Sequence, residues 1–143
     1  MIFYGIVFVL SWLLFLVAGS QEYWKWGIVA GAIGLSHELL GIGTGLWSYD
    51  HNVFAVLSNS LGLYPVTGML LLKYLPERQG GITALYLAAW VAASFVFEMV
   101  YVFTGRLLYL KWLVPYSLLL YAVTYTLYVV AYRQVMKKRT TLV

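Results

Sequence analysis

The chain has 143 residues, of which 63% are hydrophobic and 10% charged; it carries a formal charge of +4 and no cysteine. An ordinary soluble domain has about 25% charged residues, so the composition excludes a soluble globular protein and makes lipid the solvent. The missing cysteine excludes disulfides, thiolate metal sites and thiol nucleophiles together. A hydrocarbon layer about 30 Å thick needs roughly 20 apolar residues per crossing, so the expected fold is all-α: one polytopic bundle of five transmembrane helices.

The first span is expected over residues 2–19. No basic residue precedes it, so it lacks the n-region of a secretory signal and is expected to stay in the membrane. The break from Gln21 to Lys25 carries Trp24, with Trp26 just after it, rings that favour the headgroup level. The second span, 26–46, holds Gly27, Gly31, Gly34, Glu38, Gly41 and Gly45 at alternating spacings of four and three, which places all six on one face. Glycines on such a stripe admit a close neighbour, so Glu38 is expected to point into the bundle. His37 lies about 100° round the same helix.

The turn from Trp47 to Asn52 follows, with Asp50 and His51 at its tip. Asp50 or Asn52 is expected to cap the third span, 53–73, whose outer turns hold Ser58, Asn59 and Ser60 and whose middle holds Tyr64-Pro65, a kink signal. After a break around Pro76 the fourth span, 82–104, places Ser94, Glu98, Tyr101 and Gly105 on one face, with Arg106 just beyond, a residue that would snorkel to the headgroups. The fifth span, 112–132, opens at Lys111-Trp112, and residues 133–143 form a basic tail with Arg133, Lys137, Lys138 and Arg139.

Five spans put Lys25, Lys73, Arg78 and the four tail cations on one side, and only Arg106 and Lys111 on the other. The positive-inside rule then makes the C-terminus cytoplasmic and the turns around Asp50 and Arg106 external. The tail suits anionic headgroups, and no nucleic-acid partner is expected. No internal repeat is expected either.

An acid inside a span costs about 2.5–3.5 kcal/mol on insertion scales and usually faces protein or water. Glu38 and Glu98 lie roughly 12 Å and 9 Å below the outer ends of their helices, at similar depth. With Asn59, Tyr101, Arg106, Asp50, His51, His37 and Trp47 they form the expected ligand-binding set; Glu98 and Glu38 are the candidates for a catalytic acid. Gly41 to Gly45 lacks the spacing of a dinucleotide fingerprint, no histidine pair has metal-ligand spacing and no serine sits in a nucleophile elbow, so neither metal nor cofactor is expected.

The acid of the second span, Trp47-Ser48-Tyr49-Asp50, Tyr64-Pro65-Val66, Lys73-Tyr74-Leu75-Pro76, Glu98 and Lys111-Trp112 together resemble the CBO0543 family of small multi-pass membrane proteins of spore-forming Gram-positive bacteria. That resemblance spans roughly residues 38–132 and implies a location and an architecture, with no activity. The Trp-x-Tyr-Asp turn also resembles lycopene cyclase domains, but their Pro-x-Glu-Glu pair is replaced by Tyr64-Pro65-Val66-Thr67. The expected function is binding of a lipid, small amphiphile or partner helix at the outer acidic pocket. The alternatives are a membrane enzyme acting on an isoprenoid or lipid by carboxyl acid catalysis, and a subunit of a larger complex. In the latter the glycine seam and polar face meet a second copy or another membrane protein.

Overall fold

The computed structural model describes residues 1–18, 21–77 and 80–140; residue 19, Arg78 and the side chains of Lys138 and Arg139 lie outside the described residues. Five helices follow one another: α1 (Ile2–Ala18), α2 (Trp24–Gly43), α3 (Asn52–Lys73), α4 (Gly81–Phe103) and α5 (Val114–Thr140). Four of them, counting the short turn before α2, are long and apolar enough to cross a membrane, and α1 is apolar but shorter at 17 residues. Two three-residue strands, β1 (Trp47–Tyr49) and β2 (Leu107–Tyr109), pair antiparallel with Ser48 opposite Leu108. α2 stops before residue 46 because β1 claims the chain. α5 continues past residue 132 to Thr140, since the segment from Tyr132 to Lys138 contains no helix breaker.

The chain divides into two units, residues 1–75 with 98–112, and residues 76–97 with 113–143. In the first unit α3 is the central rod. α1 buries Tyr4, Val7, Ser11 and Phe15, a single stripe at spacings of three and four, and exposes the rest of its apolar surface. The buried residues of α2 are Gly27, Gly31, Gly34, Glu38 and Gly41, five of the six expected on one face; Gly45 lies beyond the helix end, with nothing within 4 Å of where its Cβ would be. A methyl group at Gly34 would lie 2.0 Å from the Tyr64 ring, and one at Gly31 2.7 Å from the Ser60 carbonyl oxygen. The glycine seam is therefore filled from within, by α3 and, at Gly41, by Trp47 of β1.

α3 is not a uniform α-helix. Residues Asn59–Leu63 form a π turn in which the Tyr64 N–H reaches back five residues to the Asn59 carbonyl. Pro65 is the cause, since it has no N–H to offer to either the Ser60 or the Leu61 carbonyl. The Trp12 indole of α1 donates to Leu61 O at 3.1 Å in its place. The kink expected at Tyr64-Pro65 thus takes the form of one wide turn, and that turn sets the direction of Asn59.

In the second unit, hydrogen bonds join Ser94 to Tyr125 at one end and Thr83 to Arg133 at the other, so α4 and α5 run antiparallel there.

Candidate functional site

α2 and α4 end in the same way. Leu46 N–H donates to Gly41 O (2.8 Å) and Gly45 N–H to Ile42 O (3.0 Å); Arg106 N–H donates to Tyr101 O (2.8 Å) and Gly105 N–H to Val102 O (3.0 Å). Each is a Schellman ending, and each needs its glycine, because Gly45 and Gly105 have φ of +67° and +68°. Thr44 and Thr104 return their hydroxyls to the carbonyls four residues back, both at 2.6 Å. Two residues past each glycine the chain enters a strand, and the two strands pair about Ser48 and Leu108. The segments Glu38 to Tyr49 and Glu98 to Tyr109 therefore form a structural repeat offset by 60 residues, sharing an acid, a Thr-Gly ending and a tyrosine at the same positions. In both copies the tyrosine turns back to the acid: Tyr49 to Glu38, Tyr109 to Glu98. The sequence expectation of no internal repeat is corrected here.

The first copy is closed. Glu38 is 1% exposed and accepts four side-chain donors: Tyr49 OH at 2.9 and 3.0 Å, Tyr64 OH at 2.5 Å, Asn59 Nδ2 at 3.0 Å and Trp47 Nε1 at 3.3 Å. Tyr101 OH donates to Asn59 Oδ1 at 3.1 Å, which fixes the amide with its nitrogen toward the acid. Every group facing the carboxyl is thus a donor, and the chamber suits an acceptor. The Trp47 indole is held in turn by the rings of His37 (4.8 Å) and Trp112 (5.1 Å).

The second copy is more open. Glu98 is half-buried where Glu38 is closed off. His37 is within electrostatic reach of both carboxyl groups, and its Nε2 is buried with no hydrogen-bond partner among the described residues.

Above the chamber Asp50 accepts from Tyr4 OH and from Arg106 at 2.5 Å, while Asp50 N–H donates to Arg106 O at 3.1 Å. The ion pair is partly exposed, so solvent screens it and its role is to tie α1 and the two helix-ending turns together. Partial burial raises the Asp50 carboxyl, but the Tyr4 hydroxyl and the Arg106 guanidinium outweigh it and hold the group below the usual carboxylate range. A depressed carboxyl stabilises the fold above its ordinary value and loses that contribution as pH falls through the lower folded value. The thermal-stability gap between wild type and Asp50→Asn, measured in detergent, should therefore be present at pH 6 and close below about pH 4. A gap that ignores pH would show that the tie is not ionic.

Of the residues expected at the site, Glu38, Trp47, Asn59 and Tyr101 are brought into one network, with the His37 ring against Trp47, while Glu98 is held by Tyr109. Asp50 and Arg106 form an ion pair between the two turns, so Arg106 does more than snorkel. Neither Asp50 nor Asn52 caps α3 through its side chain, since Asn52 Oδ1 instead accepts from Tyr49 N–H at 2.7 Å. His51 is exposed, edge-on to Phe54, and takes no part. Sequence reasoning missed Tyr4, Tyr49, Tyr64 and Tyr109 as site residues. Among the described residues no three histidines or acids come together as a metal site. No family model, curated protein or solved structure matches the chain.

Proposed function

We propose that the protein is a cell-membrane protein crossing the bilayer five times, with the β-ribbon outside and the end of α5 cytoplasmic, and that it binds a small amphiphile in its outer half. The 17 residues of α1 rise about 26 Å, close to one hydrocarbon thickness, and the charge bias of Lys25, Lys73 and the end of α5 favours that orientation. The observation that carries the binding reading is the unequal pair of acids. Glu38 has both oxygens engaged by protein donors and holds the frame. Glu98 repeats the same local geometry while half-buried and lies within electrostatic reach of His37, whose Nε2 has no hydrogen-bond partner among the described residues. A polar group bearing a hydroxyl or amine suits that pair of acceptors, and the surrounding lipid suits an apolar remainder. Full engagement of Glu38 favours binding over acid catalysis at that residue.

The test is mass spectrometry of compounds that co-purify in mild detergent with wild type, His37→Ala and Glu98→Gln. One compound retained by wild type and depleted at least about tenfold in both variants is expected, from the roughly 1.5–3 kcal/mol of a charge-assisted hydrogen bond. Identical profiles in variants that melt at the wild-type temperature would refute the proposal.

A further inference from the structure

The second unit contains a groove of about 670 Å³ between α4 and α5. Two bridges hold the helices side by side. Ser94 meets Tyr125 at 2.5 Å, and Arg133 Nη2 donates to Thr83 Oγ1 (3.2 Å) and to Pro76 O (2.9 Å). Between the bridges the groove runs over Ala84, Ala88 and Ala92 of α4, all exposed, flanked by Leu87 and Val91, and on α5 it continues past Tyr125 to Ala122 and Leu118. The eleven helical steps from Thr83 to Ser94 rise about 16 Å, roughly half the hydrocarbon core and so the depth of one leaflet.

The wall is apolar apart from Thr126 and the end where Thr83 and Arg133 line it. Both contacts of that guanidinium run through Nη2; among the described residues Nε and Nη1 have no partner, and they form the forked donor set that matches a phosphate. Lys137, one turn further along α5, adds positive charge at the same end.

We infer that this groove is a binding site for an anionic phospholipid, with one acyl chain lying along the alanines and the phosphate on Arg133. A tail entering the groove leaves one apolar medium for another, so the alanines give shape and the cation gives selection. A zwitterionic lipid brings its own ammonium group to the basic end and is disfavoured. The site is separate from the outer chamber and does not depend on the function proposed for it.

The test is native mass spectrometry of the full chain from nanodiscs of equimolar phosphatidylglycerol and phosphatidylcholine. Wild type should retain phosphatidylglycerol over phosphatidylcholine by about fivefold. Arg133→Gln should bring the ratio near one, and Ala88→Phe, which fills the groove and leaves every charge in place, should remove one retained lipid per protein. His37→Ala should change neither. Equal retention of the two lipids by wild type would overturn the inference. So would an Ala88→Phe variant with wild-type lipid content, because the preference would then be adsorption to basic residues without a groove; this variant decides the matter even if Arg133→Gln does not fold.

Discussion

Glu38→Gln should destabilise the first unit by about 2–4 kcal/mol, although it removes one oxygen and adds one nitrogen. Four donors converge on the wild-type carboxyl, and the Gln side chain turns an NH2 group toward at least two of them. Each buried donor left without an acceptor costs about 1–3 kcal/mol. Tyr64→Phe removes one donor while Oε1 keeps Tyr49 and Asn59, so it should cost only about 1 kcal/mol. Denaturant titration in mixed micelles gives both values. A Gln variant as stable as Tyr64→Phe would mean that the four donors find partners elsewhere.

Gly41→Ala should cost more, about 3–5 kcal/mol, for the addition of a single methyl group. Its Cβ would lie 1.9–2.2 Å from three atoms of the Trp47 indole. That ring is 5% exposed and wedged between His37 and Trp112, so it has nowhere to retreat. Moving it also breaks its bond to Glu38. Gly43, two residues on, is the control, because a methyl group there meets nothing within 4 Å and Gly43→Ala should stay within about 0.5 kcal/mol of wild type. Equal effects at the two positions would show that the loss reflects general intolerance of the helix end.

How much of this was legible in the chain depends on how local the signal was. The glycine stripe of α2 was plain because small residues at spacings of three and four can only mark one face, and the inward direction of Glu38 followed from it. Trp47, Asn59 and Tyr101 were within reach of the same logic of depth. Tyr49 and Tyr64 were not, because a tyrosine near a span's end reads as a headgroup anchor, and Tyr64 stood beside a proline that explained its neighbourhood without it. The β-ribbon was hidden for a different reason: three residues are too few to display an alternating pattern. The repeat of Glu, Thr-Gly and Tyr was hidden as well, since its matching positions are scattered among apolar residues that any membrane helix contains. Only the two left-handed glycines and the pairing of Ser48 with Leu108 make it visible.

One buried carboxyl group, held by donors from β1 and α3, organises the chamber of the first unit. A double-mutant cycle between Glu38→Gln and Tyr49→Phe, read from unfolding free energies in mixed micelles, tests it most directly. Tyr49 donates to both carboxyl oxygens, so the two substitutions should be coupled by about 1 kcal/mol or more, the double variant losing less than the sum of the singles. Strictly additive losses would contradict the account, because they would mean that the tyrosine and the acid stabilise the protein independently.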